Sequence, residues 1–156
     1  MRIPLLVILA ILTKGCGYKD PMKVAFHPVD PQLEDATKAA RSVLTNFITE
    51  LSAPRSNQAY FALCARFDPP GSGEFLWITN PCLQHGMFSG TLSQTPQHAK
   101  GISPGETVHI SESQVADWMY VQDGKLVGGY TLRLWRNRMT QQEKAVYESR
   151  VPYKFE

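Results

Sequence analysis

The side chains of this 156-residue chain best suited to chemistry are four histidines, three cysteines and an arginine-aromatic cluster near the C-terminus. His27, His85, His98 and His109 lie 58, 13 and 11 residues apart, with neither a His-x-His pair nor a His-Glu-x-x-His helix. A zinc centre needs ligands converging at about 2.0–2.3 Å, usually seeded by one close pair. Cys82 and His85 have that spacing, but nothing elsewhere matches it. Solvated or turn histidines account for the pattern, and no metal or cofactor is expected. A Gly-x-Ser-x-Gly elbow is absent from the sequence. Cys64 sits in an apolar strand pattern, where burial raises a thiol's pKa and leaves it inert. Gly71-Ser-Gly73 joins two strand-like runs and precedes no helix, so it lacks the dipole and amide array of a phosphate loop. No catalytic residue is assigned, and the chain reads as non-enzymatic.

Three features remain as candidate binding positions. Asp117 beside Trp118 suits a turn cap, an acceptor for an indole N–H, or a contact with a partner. Gly128-Gly129-Tyr130-Thr131 reads as a tight entry into a helix with Thr131 as its cap, and its glycines would also let a ligand approach the backbone. Arg133, Arg136 and Arg138 flank Trp135, a strip able to grip phosphates, acidic proteins or glycan carboxylates unless nearby acids such as Glu143 and Glu148 neutralise it. Asp117, Trp118, Tyr130, Arg133, Trp135 and Arg136 form the candidate binding set.

Helices and strands must position these residues. Asp30-Pro31 starts a helix with a carboxylate cap and proline at the first helical position, and Glu34 and Asp35 favour its first turns. Leu33, Ala36, Ala40, Leu44, Phe47 and Leu51 recur at intervals of three and four and give it one apolar face up to Pro54. Strand patterns follow over 59–67, 74–79, 85–92, 106–110 and 116–121, with a turn through 68–73 and another at Asp123-Gly124. A helix is expected from Thr131 to Met139, and the capping-box spacing of Thr140 and Glu143 starts another that runs to about Ser149. Strands framed by helices, not alternating with them, indicate an α+β single domain: an N-terminal helix, an antiparallel sheet of about five strands and two C-terminal helices. A turn centred at Gly71 pairs Cys64 with Ile78, and a later turn or a bulge would bring Cys64 and Cys82 to the roughly 4.4–6.8 Å Cα separation of a disulfide. The alternative is two buried thiols.

Residues 1–15 read as a signal peptide, with Arg2 before an apolar run over 3–12 that is too short for the roughly 20 residues of a membrane span. The run ends in Thr13-Lys14-Gly15-Cys16 and resembles a bacterial lipoprotein signal, which implies cleavage before Cys16 and lipidation of its thiol. Gly17 stands where an aspartate would favour inner-membrane retention, so the resemblance implies a periplasmic-facing lipid anchor, in the outer membrane in preference to the inner. An ordinary signal peptide would instead leave Cys16 a free thiol. Residues 16–30 read as a tether and 31–156 as the globular domain. Removing 1–15 leaves 156 − 15 = 141 residues, enough for one core. It also removes Arg2 and Lys14, taking Lys+Arg from 16 to 14 against 14 Asp+Glu. That balance argues against a general nucleic-acid binder, and 43% hydrophobic residues argue against disorder.

From Ala39 onward the order of motifs resembles the YegJ-like bacterial domain of unknown function. The resembling residues are Ala39-Ala40-Arg41, Phe75-Leu76-Trp77-Ile78, Phe88-Ser-Gly90-Thr-Leu92, Gly105-Glu-Thr-Val108, Asp117-Trp118-Met119-Tyr120 and Gly129-Tyr130-Thr131-Leu132-Arg133. They span roughly 35–149, and the last two form the most specific block. Where the family has acid-His-Met-Trp, this chain has Glu74-Phe-Leu-Trp77, which removes a histidine. The resemblance implies a fold and no established activity. The expected function is a binding module at the cell envelope, in its most concrete form an immunity or inhibitor protein that restrains an envelope protein. The alternatives are a peptidoglycan- or lipid-binding accessory protein, or an enzyme in which Asp117, a histidine and Glu106 converge in a cleft. Oligomeric state is not read from the sequence.

Overall fold

The computed structural model describes residues 30–67, 73–97 and 99–156. The expected signal peptide, the lipidation of Cys16, the tether, His27 and His98 fall outside them. Helix α1 (Pro31–Ser42) begins as its sequence dictates: Asp30 accepts hydrogen bonds from the Gln32 and Leu33 amides, and Pro31 stands at the first helical position. The single helix expected up to Pro54 is two. At Val43 the backbone leaves helical geometry (φ −122°, ψ 19°), and α2 (Leu44–Ser52) follows. Leu33, Ala40, Leu44 and Phe47 of the expected apolar face are buried.

One antiparallel sheet follows, of six strands where about five were expected: β1 (Gln58–Phe67), β2 (Glu74–Gln84), β3 (Met87–Leu92), β4 (Thr107–Ser111), β5 (Val115–Gln122) and β6 (Lys125–Gly128). Their spatial order is β4-β3-β2-β1-β5-β6. His85 and Gly86, placed in the third strand by the sequence pattern, form the tight β2–β3 turn, with φ of 51° and 76°. Asp123-Gly124 turns β5 into β6 in the same way, at φ of 50° and 75°. Helices α3 (Tyr130–Arg138) and α4 (Gln141–Glu148) close the chain. The Thr140–Glu143 capping box starts α4 as its spacing predicts.

The sheet must curl. Ser111 of outermost β4 and Val115 of β5 stand four strands apart in the order, about 19 Å on a flat sheet at about 4.8 Å per strand. Four residues of chain reach only about 14 Å at roughly 3.5 Å each. The bend sits in β2, where an extra residue lies between the Thr79–Thr91 and Cys82–Ser89 pairs and Asn80 adopts φ 51°. Gly90 faces this bulge, and a Cβ there would lie 2.6 Å from Ile78 Cγ2 and 2.8 Å from the Thr79 carbonyl oxygen.

Curling separates two cores. On one face Leu63, Ala65, Leu76, Ile78, Phe88, Val108, Ile110, Trp118 and Tyr120 pack with Ala40, Leu44 and Phe47 of α1 and α2. On the other, Ala62, Cys64, Trp77, Met119 and Val121 pack with Leu126, Leu132 and Tyr153. Lys154 of the C-terminal tail bridges to Lys125 of β6 and covers that edge. The Cys64–Cys82 disulfide does not form. Cys64 registers with Trp77 and is buried, whereas Cys82 lies five positions further along β2 opposite Ser89 and is exposed, and both thiols are free.

Because the bend requires close approach at Gly90, Gly90→Ala is expected to lower stability by about 1–3 kcal/mol, the usual cost of overpacking. Urea denaturation measures it.

Candidate functional site

The centre of the molecule is Asp117, a fully buried carboxylate in β5. Its Oδ1 accepts the amide hydrogens of Trp118 (2.8 Å) and Tyr130 (3.1 Å). Its Oδ2 accepts the Thr131 amide (2.7 Å) and the Thr131 hydroxyl (2.5 Å). The two residues before α3 explain this arrangement. Gly128 and Gly129 are both left-handed, at φ 73° and 65°, so β6 breaks from β5 and turns directly into the helix. Gly128 has no room for a side chain, because a Cβ would lie 2.4 Å from the Trp118 carbonyl oxygen. The N-cap residue, Gly129, has no side chain to accept the free amides of the first turn, so a carboxylate from the neighbouring strand accepts them instead. Thr131, expected as the cap, lies inside the first turn and donates its hydroxyl to Asp117.

Burial and hydrogen bonding oppose each other here. Burial favours the neutral acid, four donors favour the anion, and the Asp117 pKa settles at about 6, above the ordinary 3.8. Cys64 pairs with Asp117 across β1 and β5. Burial first, and the Asp117 charge second, push its thiol well above the usual range, so Cys64 is a poor nucleophile.

The remaining candidate residues surround this centre without forming one open surface. Trp118 is buried; its indole N–H donates to the Ala40 carbonyl at 2.8 Å, and its ring packs on Phe47, Tyr120 and, edge-on, Tyr130. Arg133 is committed to the backbone, donating to the carbonyls of Gly128, Leu126 and Glu156. Arg136 pairs with Glu148 and lies over the Phe155 ring, 5.0 Å from its centroid. Arg138 lies over Trp135 and bridges to Asp30 and Gln32 at the start of α1. Glu106 is exposed and accepts the Ser103 amide, whereas Asp117 is buried. The sequence reading missed the link between Asp117 and Thr131. The available signal was a Gly-Gly pair before a helix that had no capping side chain of its own.

A curled six-stranded antiparallel sheet with one helix pair before it and one after it in the described residues, and a buried carboxylate capping α3, defines an α+β domain whose most specific motif builds its own architecture. The chain belongs to the DUF2314 family of uncharacterised proteins conserved in bacteria, whose family model matches residues 30–155. It is 31% identical over 100 residues to the uncharacterised protein YegJ of Escherichia coli K12, a match covering 64% of each chain. It is 28% identical over 76 residues to a putative ankyrin repeat protein of Neisseria meningitidis serogroup B, covering 49% of this chain and 30% of that one. The chain thus matches about two-thirds of the length of the first relative and under a third of the second. No solved structure matches it. Among the described residues no helix is long and apolar enough to cross a membrane, and no three His, Cys, Asp or Glu side chains gather as a metal-binding group.

The Asp117 pKa yields a signed prediction. With a folded-state pKa above the ordinary value, the folded protein binds more protons than the unfolded chain between pH 3.8 and about 6. This contribution to stability is fully present below pH 3.8 and is lost as pH rises through about 6. The difference is on the order of 3 kcal/mol at about 1.4 kcal/mol per pKa unit. Asp117→Asn is expected to flatten this part of the pH profile while losing stability at pH 7 through unmatched donors at Thr131. Urea midpoints measured from pH 4 to 7 for both proteins test the two effects together.

Proposed function

We propose that this protein is a non-enzymatic binding module held on the periplasmic side of the bacterial envelope by a lipid on Cys16, where it recognises and restrains an envelope protein as immunity or inhibitor proteins do. The supporting observation is the commitment of Asp117. All four of its hydrogen bonds go to the domain's own backbone and Thr131, and the neighbouring Cys64 thiol is held in its unreactive form. The groups best placed for chemistry thus maintain structure, which fits a protein that acts by presenting a surface. The ankyrin-repeat relative adds support, because the similar segment is under a third of that chain, as suits a module combined with others.

The reading places the contact on the outer side of α3 and α4, where Arg136 and Trp135 are half-buried and retain accessible surface. Tagged protein mixed with detergent-solubilised envelope extract is expected to retain one stoichiometric protein, lost on Arg136→Glu and retained by a Cys82→Ser control. Sedimentation of the lipid-free domain 17–156 with sacculi or lipid vesicles, in place of a protein, would replace this reading with the accessory role. Retention of nothing would remove it.

A further inference from the structure

We propose that β4 is a self-pairing edge, through which two copies of this protein join antiparallel about a two-fold axis at His109. The two edges of the sheet are treated differently. On β6, the Leu126 amide donates to Lys154, the Lys154 amide donates to Gly124, and Lys125 pairs with Glu156, so the chain's own tail occupies that edge. On β4 nothing comparable is present among the described residues. The Leu92 amide donates to the Glu106 carbonyl and the Leu92 carbonyl accepts from Gly105, which fixes the alternation along the β3–β4 ladder. Val108 and Ile110 therefore direct their backbone groups to β3, while Thr107, His109 and Ser111 direct theirs outward. The Ser111 amide is bonded to Gln114 Oε1 at 3.0 Å. Among the described residues no hydrogen bond reaches the outward backbone of Thr107 or His109.

Natural sheets guard such edges with lysine, proline, a bulge or a covering segment. Thr107-Val-His-Ile-Ser111 contains no lysine or proline, and its register with β3 is unbroken. Its side chains point to a second copy as the occupant, because the strand is close to a palindrome in chemistry. Antiparallel pairing centred on His109 sets Thr107 against Ser111 of the second copy, Val108 against Ile110, and His109 against His109. Hydroxyl meets hydroxyl and one branched aliphatic meets another. Val108 and Ile110, buried on the core face, would extend one apolar row across both copies, and the exposed Thr107 and His109 would stay on the solvent face. A slip of one residue would oppose these faces and lose the match. A reciprocal pair of backbone hydrogen bonds at His109 is free to form, whereas the Ser111 amide and carbonyl are engaged by Gln114 and by the 3-10 turn Glu112–Gln114 that starts there.

Residue 109 meets itself at the axis, so charge decides the test. Sedimentation of the purified full chain at micromolar concentration should give a dimer. His109→Lys and His109→Glu should each be monomeric yet folded, melting as the wild-type protein does when diluted to its monomer, since the side chain is exposed, and an equimolar mixture of the two should recover the dimer. Thr107→Lys, also exposed, should weaken association independently. A monomeric wild-type protein, a dimer that survives His109→Lys, or two folded variants that fail to pair when mixed would each overturn the proposal.

Discussion

One buried carboxylate governs how the two halves of this domain meet. A helix that starts on two left-handed glycines leaves its first amides with no local acceptor, and an unpaired buried donor costs about 1–3 kcal/mol. Asp117 removes that cost for Tyr130 and Thr131 and fixes the start of α3 against β5. The other end of α3 is fixed by a second carboxylate, since Arg138 bridges to Asp30, the residue that also caps α1. The first helix, β5 and the C-terminal helices are joined through α3, and Trp118 strengthens the junction from the other face by donating to Ala40.

This view changes what the most specific family motif signifies. Asp117-Trp118-Met119-Tyr120 and Gly129-Tyr130-Thr131-Leu132-Arg133 invite reading as a binding or catalytic signature, having an acid, a hydroxyl and an arginine close together. In three dimensions Asp117 accepts from Thr131, Gly129 allows the turn, and Arg133 ties α3 to β6 through the carbonyls of Gly128 and Leu126. Each of these residues holds a neighbouring segment in place. The arginine strip behaves similarly: Arg136 joins Glu148 and Phe155, and Arg138 joins Asp30, so its charges connect helices and tail.

Periodic and local signals were legible in the sequence. The cap and apolar face of α1, the Thr140–Glu143 box of α4 and the Asp123-Gly124 turn each depend on residues a few positions apart, and each stands where its pattern placed it. Features set by distant partners were not legible. β6 is four residues long and is a strand because β5 pairs with it on one side and the tail with it on the other. The turn at His85-Gly86 was hidden by strand-like residues around it, and the β1–β2 register that sets Cys64 opposite Trp77 leaves Cys82 five positions beyond it. The Asp117–Thr131 pair spans 14 residues with two strand ends and a turn between them, beyond the reach of any local pattern.

Native-state hydrogen exchange tests most directly whether Asp117 holds α3 to the sheet. If it does, the amides of Tyr130 and Thr131 will exchange as slowly as those of Ala62 and Leu63 in β1, through global unfolding only. Rapid exchange at Tyr130 and Thr131 while β1 and β5 remain protected would show α3 opening independently and would contradict the account.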